Sequence, residues 1–162
     1  MMVMSAEGLT VERALQVGVT MEEGAYKLYT GAQRKVKDPG SKQLLRELAA
    51  DEAKHREYFV AALKDPRKVM DASKAADLKR TVADLKVSDP LRQEPLNQDA
   101  SYQDILIFAA KSEKLAYEFY SALAKEFNAH PVGRTWATFA QMELGHKQRI
   151  EKEYDDVVLK EN

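Results

Sequence analysis

The chain has 162 residues, 44% of them apolar and 31% charged, with a formal net charge of -1 at pH 7. That length suits one domain with a sizeable core, and the near-neutral balance gives no reason to expect a nucleic-acid or anionic-membrane partner. No cysteine is present, which excludes disulfides, thiolate nucleophiles, zinc ribbons, iron–sulfur clusters and iron held by four cysteines. The first ten residues carry no basic-then-apolar signal and no stretch is apolar enough to span a bilayer, so the expected location is cytoplasmic, away from membranes.

Four helices are predicted in chain order. The first runs from about residue 10 to 37 and stops at Asp38-Pro39-Gly40-Ser41, a cluster of turn and N-cap residues. The second covers about 41–63 and ends before Asp65-Pro66. A polar crossover follows over about 65–98, with a short helix expected around Ser73 to Leu85. The third helix spans about 99–127 and breaks at Asn128-Ala129-His130-Pro131; the fourth covers about 131–159. The crossover is long enough to traverse a bundle and too long for a tight hairpin. The expected fold is all-α: residues 1–162 form one domain, an antiparallel four-helix bundle of two hairpins joined by a long crossover.

Each helix carries a heptad-like inward stripe. The stripes read Val11, Leu15, Gly18, Glu22, Ala25, Tyr29; then Leu45, Leu48, Glu52, His55, Phe59, Ala62. In the second half they read Tyr102, Leu106, Ala109, Glu113, Ala116, Tyr120, Leu123; then Trp136, Phe139, Glu143, His146, Ile150. A Glu or His thus stands in every stripe where Leu or Ile is the usual occupant.

Those polar positions form a repeat. Glu22 is followed 30 residues later by Glu52-x-x-His55, and Glu113 is followed 30 residues later by Glu143-x-x-His146, the two copies being offset by 91. The flanking text repeats too, as Ala25-Tyr26-Lys27-Leu28-Tyr29 and Ala116-Tyr117-Glu118-Phe119-Tyr120. The midpoint of each 30-residue gap falls at a predicted turn. Both arms of a hairpin rise by about 1.5 Å per residue, so each lone Glu returns opposite its own Glu-x-x-His. The i, i+3 spacing keeps that Glu and His on one face, one turn apart.

Four converging carboxylates repel one another and cost several kcal/mol each to bury unpaired. Two divalent cations would balance them, with two neutral imidazoles completing the coordination. Carboxylate and imidazole together suit iron or manganese, and the lack of thiolates tells against a structural zinc site. Tyr29 and Tyr120, two turns after the lone glutamates, are read either as hydrogen-bond donors to a carboxylate of the other hairpin, as one-electron donors, or as core aromatics. Tyr26 and Tyr117 are read as packing or interface residues, His130 as solvent-facing, Trp136 as packing the bundle end, and Lys64–Lys68 as solvated surface.

On these residues the chain resembles rubrerythrin-type members of the ferritin-like di-iron carboxylate superfamily. The resemblance covers about residues 10–155 without the crossover, and rests on two Glu-x-x-His elements, each following a Glu-x-x-Ala-Tyr-x-[Leu/Phe]-Tyr element. It implies two iron ions, with manganese or zinc as alternatives: Glu22 and His55 on one, Glu113 and His146 on the other, Glu52 and Glu143 bridging. It also implies a peroxidase or ferroxidase that reacts Fe(II) with O2 or H2O2 in oxidative-stress defence or iron homeostasis, re-reduced by an external electron donor and assembled as a homodimer. Iron storage and a non-redox metal-binding bundle stay open as other readings.

Four departures from the patterns of related proteins stand out. Rubrerythrin has a further Glu three residues after the third-helix ligand, where this chain has Ala116; it also carries a four-cysteine iron domain, which a chain without cysteine lacks. The haem-ligating Met that bacterioferritin places after its second-helix Glu is here Ala53, so no haem is expected. Many relatives place Asp before each Glu-x-x-His to accept a hydrogen bond from a ligand histidine. Asp51 fits that role, but its repeat mate is Met142, so the surroundings of the two metals are expected to differ.

Overall fold

A computed structural model describes residues 9–65, 81–82, 96–128 and 131–159. Its helices are α1 (Val11–Ala32), α2 (Pro39–Lys64), α3 (Tyr102–Glu126) and α4 (Pro131–Glu153). α1 packs on α2 in one hairpin and α3 on α4 in the other; across the bundle α1 meets α3 and α2 meets α4. The architecture is the all-α, ferritin-like antiparallel four-helix bundle. Among the described residues no helix is long and apolar enough to cross a membrane.

Local chemistry sets the helix starts. Asp38 caps α2, accepting a hydrogen bond from the Ser41 amide at 2.9 Å, and Pro39 follows at the first helical position. Ser101 and Asp104 form a reciprocal capping box at the head of α3, with contacts of 3.1 and 3.2 Å. α3 begins at Tyr102, a few residues after the approximate start, because Asn97–Asp99 is spent on a turn in which the Ala100 amide donates to the Asn97 carbonyl.

The first helix also ends earlier than its periodicity suggests. α1 stops at Ala32, tightens into a 3-10 turn over Gln33–Lys35, and Val36 is extended. Lys35 Nζ explains the stop: it donates to the Gln98 and Ala100 carbonyls at 2.9 and 2.6 Å, tying the hairpin bend to the entry of α3. α4 gives way after Glu153 to a widened turn, Tyr154–Val158. Leu9–Thr10 is extended and pairs antiparallel with Thr81–Val82. The first helix begins next to Thr10, as expected, whereas the described part of the expected Ser73–Leu85 helix is extended; the rest of that segment, with His130 and residues 66–68, lies outside the described residues.

The core forms two apolar clusters, one towards each end of the bundle. One gathers Leu15, Phe59, Phe119, Leu123, Phe127 and Trp136; the other gathers Leu45, Leu48, Ile105, Leu106 and Ile150. Burying each such side chain contributes about 1.5–3 kcal/mol. Trp136 is fully buried and meets Phe127 edge-on, with ring centroids 5.1 Å apart. Gly133 lets α4 start against the end of α3, since a Cβ there would lie 2.2 Å from the Phe127 carbonyl oxygen. Tyr117 packs on the aromatic cluster, whereas Tyr26 stands exposed on α1.

Candidate metal centre

Between the two apolar clusters lies a polar layer. Glu22 comes from α1, Glu52 and His55 from α2, Glu113 from α3, and Glu143 and His146 from α4. None of the six is more than 4% exposed. They divide into two groups: Glu22, Glu52, His55 and Glu143, and Glu52, Glu113, Glu143 and His146. Within each group one ligand atom per residue lies within 4.8 Å of the others, and Glu52 and Glu143 belong to both. The two imidazoles face each other nearly parallel, 16° apart, with centroids separated by 6.4 Å.

The closest contacts cross between hairpins. His55 Nδ1 lies 2.8 Å from Glu143 Oε1 and 3.5 Å from Glu22 Oε1; His146 Nδ1 lies 2.9 Å from Glu52 Oε1 and 3.5 Å from Glu113 Oε1. Tyr29 donates to Glu113 Oε1 at 2.5 Å, and Tyr120 donates to Glu22 Oε1. Each tyrosine thus holds the glutamate of the opposite hairpin. On the far side of the rings, His146 Nε2 meets Asp51 Oδ2 at 3.0 Å, and His55 Nε2 meets Met142 Sδ at 3.4 Å. Phe139 lies against the His55 ring, centroids 4.3 Å apart.

Electrostatics make the layer costly without cations. Two like charges 4 Å apart repel by about 4 kcal/mol at an effective dielectric constant near 20. Burial, then repulsion from Glu22 and Glu113, holds the Glu52 carboxyl well above the usual range. Glu143 is raised by burial and by Glu113, Glu52 and Glu22. For Glu113 burial again opposes ionisation, but contacts with Glu143, His146 and Tyr29 outweigh it and lower the value. Burial would discharge His146, yet Glu113 and Glu52 beside it push the imidazole up to about 11. Tyr29 and Tyr120 are raised by burial and by neighbouring carboxylates, chiefly Glu113 and Glu22, so both keep the phenolic proton they donate.

A cation fits this donor set. Each of the six residues has one buried atom without a hydrogen-bond partner: Glu22 Oε2, Glu52 Oε1, His55 Nδ1, Glu113 Oε2, Glu143 Oε1 and His146 Nδ1. The close Nδ1–Oε1 approaches of 2.8 and 2.9 Å lack hydrogen-bond geometry. Buried polar atoms that go unpaired are rare; six of them converging, from six residues that are all metal-ligand types, is a metal-binding arrangement.

Sequence reasoning did not find the space beside the site. A cavity of 590 Å³ opens between α1 and α3 and is walled by Met21, Ala25, Leu28, Leu96, Phe108 and Ala116. It reaches Glu22, Glu52, Glu113 and Glu143, while neither histidine lines it. Nor did sequence reasoning find the Met142 contact with His55, although the 91-residue offset from Asp51 pointed to that position.

The bundle and its buried carboxylate–histidine layer define a ferritin-like protein with a metal-binding site. The Rubrerythrin family model matches residues 13–97, which is more than half of the sequence, and the chain belongs to that family. No curated protein and no solved structure matches the chain. The family match covers the first hairpin and crossover; the second hairpin is tied to it by the 91-residue repeat and the shared polar layer.

Proposed function

We propose that the protein is a di-iron oxidoreductase of the peroxidase or ferroxidase type, acting on hydrogen peroxide or oxygen. The observation that carries this reading is the set of six orphaned donor atoms shared between two overlapping groups. Glu52 and Glu143, common to both groups, would serve two cations at once; Glu22 and His55 would complete one position, Glu113 and His146 the other. Carboxylate and imidazole without thiolate suit iron best among the common metals that change oxidation state, with manganese or zinc as substitutes. When bound, two Fe(II) would supply the two electrons that reduce hydrogen peroxide, with two protons, to two waters.

The chain's own residues do the positioning. Tyr29 and Tyr120 restrain one oxygen of Glu113 and of Glu22 and leave the second oxygen of each free to ligate. Asp51 orients the His146 ring from behind. The cavity between α1 and α3 supplies the approach, so the oxidant meets the carboxylate side and the histidines stay behind the site. Electrons return from an external donor, and a homodimer in the cytoplasm is part of the same proposal. Anaerobic ferrous protein mixed with hydrogen peroxide in a stopped-flow instrument should oxidise much faster than free Fe(II) at the same pH. Oxidation no faster than free Fe(II) removes the redox assignment.

A further inference from the structure

The 91-residue repeat relates the two halves of the site contact by contact. Tyr29 on Glu113 maps onto Tyr120 on Glu22, and the chemistry is the same. Asp51 on His146 maps onto Met142 on His55, and the chemistry is not. Both rings turn Nδ1 to the carboxylates, so a ring that ligates a metal there keeps its proton on Nε2. In His146 that N–H points to a carboxylate 3.0 Å away. A charged acceptor fixes the tautomer, restrains ring rotation and moves electron density towards Nδ1. In His55 the N–H faces a neutral thioether at 3.4 Å, a weak acceptor.

The remaining surroundings do not redress the balance. His55 is held by packing on Phe139, whose repeat mate is Leu48. Arg56 on the His55 side is paired with Glu23 at 2.8 Å, and Lys147 beside His146 is paired with Glu151, so neither brings an uncompensated charge. Asp51 adds a negative charge on the His146 side alone, partly screened because its side chain is 31% exposed.

We infer that the Glu113–His146 position binds a divalent cation roughly 10- to 100-fold more tightly than the Glu22–His55 position, the usual effect of removing a ligand's hydrogen-bond partner. The Glu113–His146 position fills first, and the Glu22–His55 position exchanges. This rests on the two-metal reading proposed above. Its consequence is regulatory: at limiting metal the protein holds one ion, and two-electron chemistry waits for the second.

The test is zinc binding read at the histidines, with no turnover involved. The chain has 3 histidines, so the imidazole 15N spectrum of histidine-labelled protein, stripped of metal, can be assigned with His55→Gln and His146→Gln. Repulsion between cations splits the binding steps but does not choose a side, so the readout is which ring responds to one equivalent of zinc. In the unmodified protein the His146 signals should shift at least about ten times as completely as those of His55. In Met142→Asp and, separately, in Asp51→Met, the two rings should respond equally at one equivalent. Circular dichroism checks that each variant is helical, and if Met142→Asp does not fold, Asp51→Met decides. Equal response in the unmodified protein with two zinc ions bound, or response of His55 first, overturns the inference while leaving the two-metal site intact. No zinc at either ring overturns both.

Discussion

The two hairpins carry one ligand set through different packing. Where α1 and α2 place Gly18 beside Phe59, α3 and α4 have Ala109 and Ile150 at the repeat positions; Leu45 and Leu48 answer to Trp136 and Phe139. A Cβ on Gly18 would lie 3.2 Å from the Phe59 ring, so the small residue accompanies the large one. Apolar layers need only fill their volume, and many combinations do so. The polar layer needs particular donor atoms at particular heights, and there the repeat holds at all six positions. Asp51 and Met142 are where the divergence of the hairpins reaches the chemistry.

The largest expected effect separates shared from unshared carboxylates. Glu52→Ala should weaken binding of both metal ions by more than the roughly 100-fold typical of losing an outer hydrogen-bond partner. Glu22→Ala should weaken one ion and leave the other. Metal content after dialysis, by elemental analysis, distinguishes the two; equal behaviour of the variants would remove the special place of Glu52.

Proton and cation compete for the same layer. Glu52 and Glu143 have values raised above 4.5 and His146 is raised to about 11, so the folded, metal-free protein binds their protons more tightly than the unfolded chain. Those contributions are present at low pH and are lost as pH rises, through a window from about 4.5 towards 11. Glu113, with a lowered value, contributes in the opposite sense, lost as pH falls. The Glu113 window lies below about pH 4.5, so metal-free protein should lose stability between about pH 5.5 and about pH 8.5. Mn2+ at 100 times its dissociation constant should add about 2.7 kcal/mol, and dissociation constants should fall as pH rises because the ion displaces protons. Urea midpoints at both pH values, with and without Mn2+, report the sign.

A smaller effect concerns access. Ala116→Phe places a ring in the cavity between α1 and α3. It should slow oxidation by peroxide by about tenfold, equivalent to about 1.4 kcal/mol in the barrier, with Mn2+ affinity unchanged. An unchanged oxidation rate would mean that the oxidant enters elsewhere. The smallest change tests the packing contrast itself: in Gly18→Ala the crowding of Phe59 should outweigh the ~1 kcal/mol that Ala gains over Gly in a helix, for a net cost of about 1 kcal/mol. Adding Phe59→Ile, which copies the Ala109 and Ile150 combination, should recover most of that loss in urea unfolding.

Much of this is legible in the sequence alone. The 3.6-residue stripes place Leu15, Phe59, Leu106 and Ile150 inside, and they are buried. The matched 30-residue gaps put Glu22 level with Glu52, and a donor two turns after one glutamate reaches the glutamate of an antiparallel neighbour. The bend after α1 was not legible, because its length depends on Lys35 meeting carbonyls 63 and 65 residues away. The Leu9–Thr10 and Thr81–Val82 ribbon is too short to show a period. The cavity belongs to the spacing of α1 and α3 and to no single residue, and the Met142 contact depends on a flexible side chain's rotamer.

The most direct test is diffraction from crystals grown with ferrous iron under anaerobic conditions, recorded at the iron absorption edge. Two anomalous peaks are expected in the polar layer, one touching Glu22 and His55, the other Glu113 and His146, and both touching Glu52 and Glu143. A single peak at full iron loading, or iron found only on the surface, would contradict the two-metal reading.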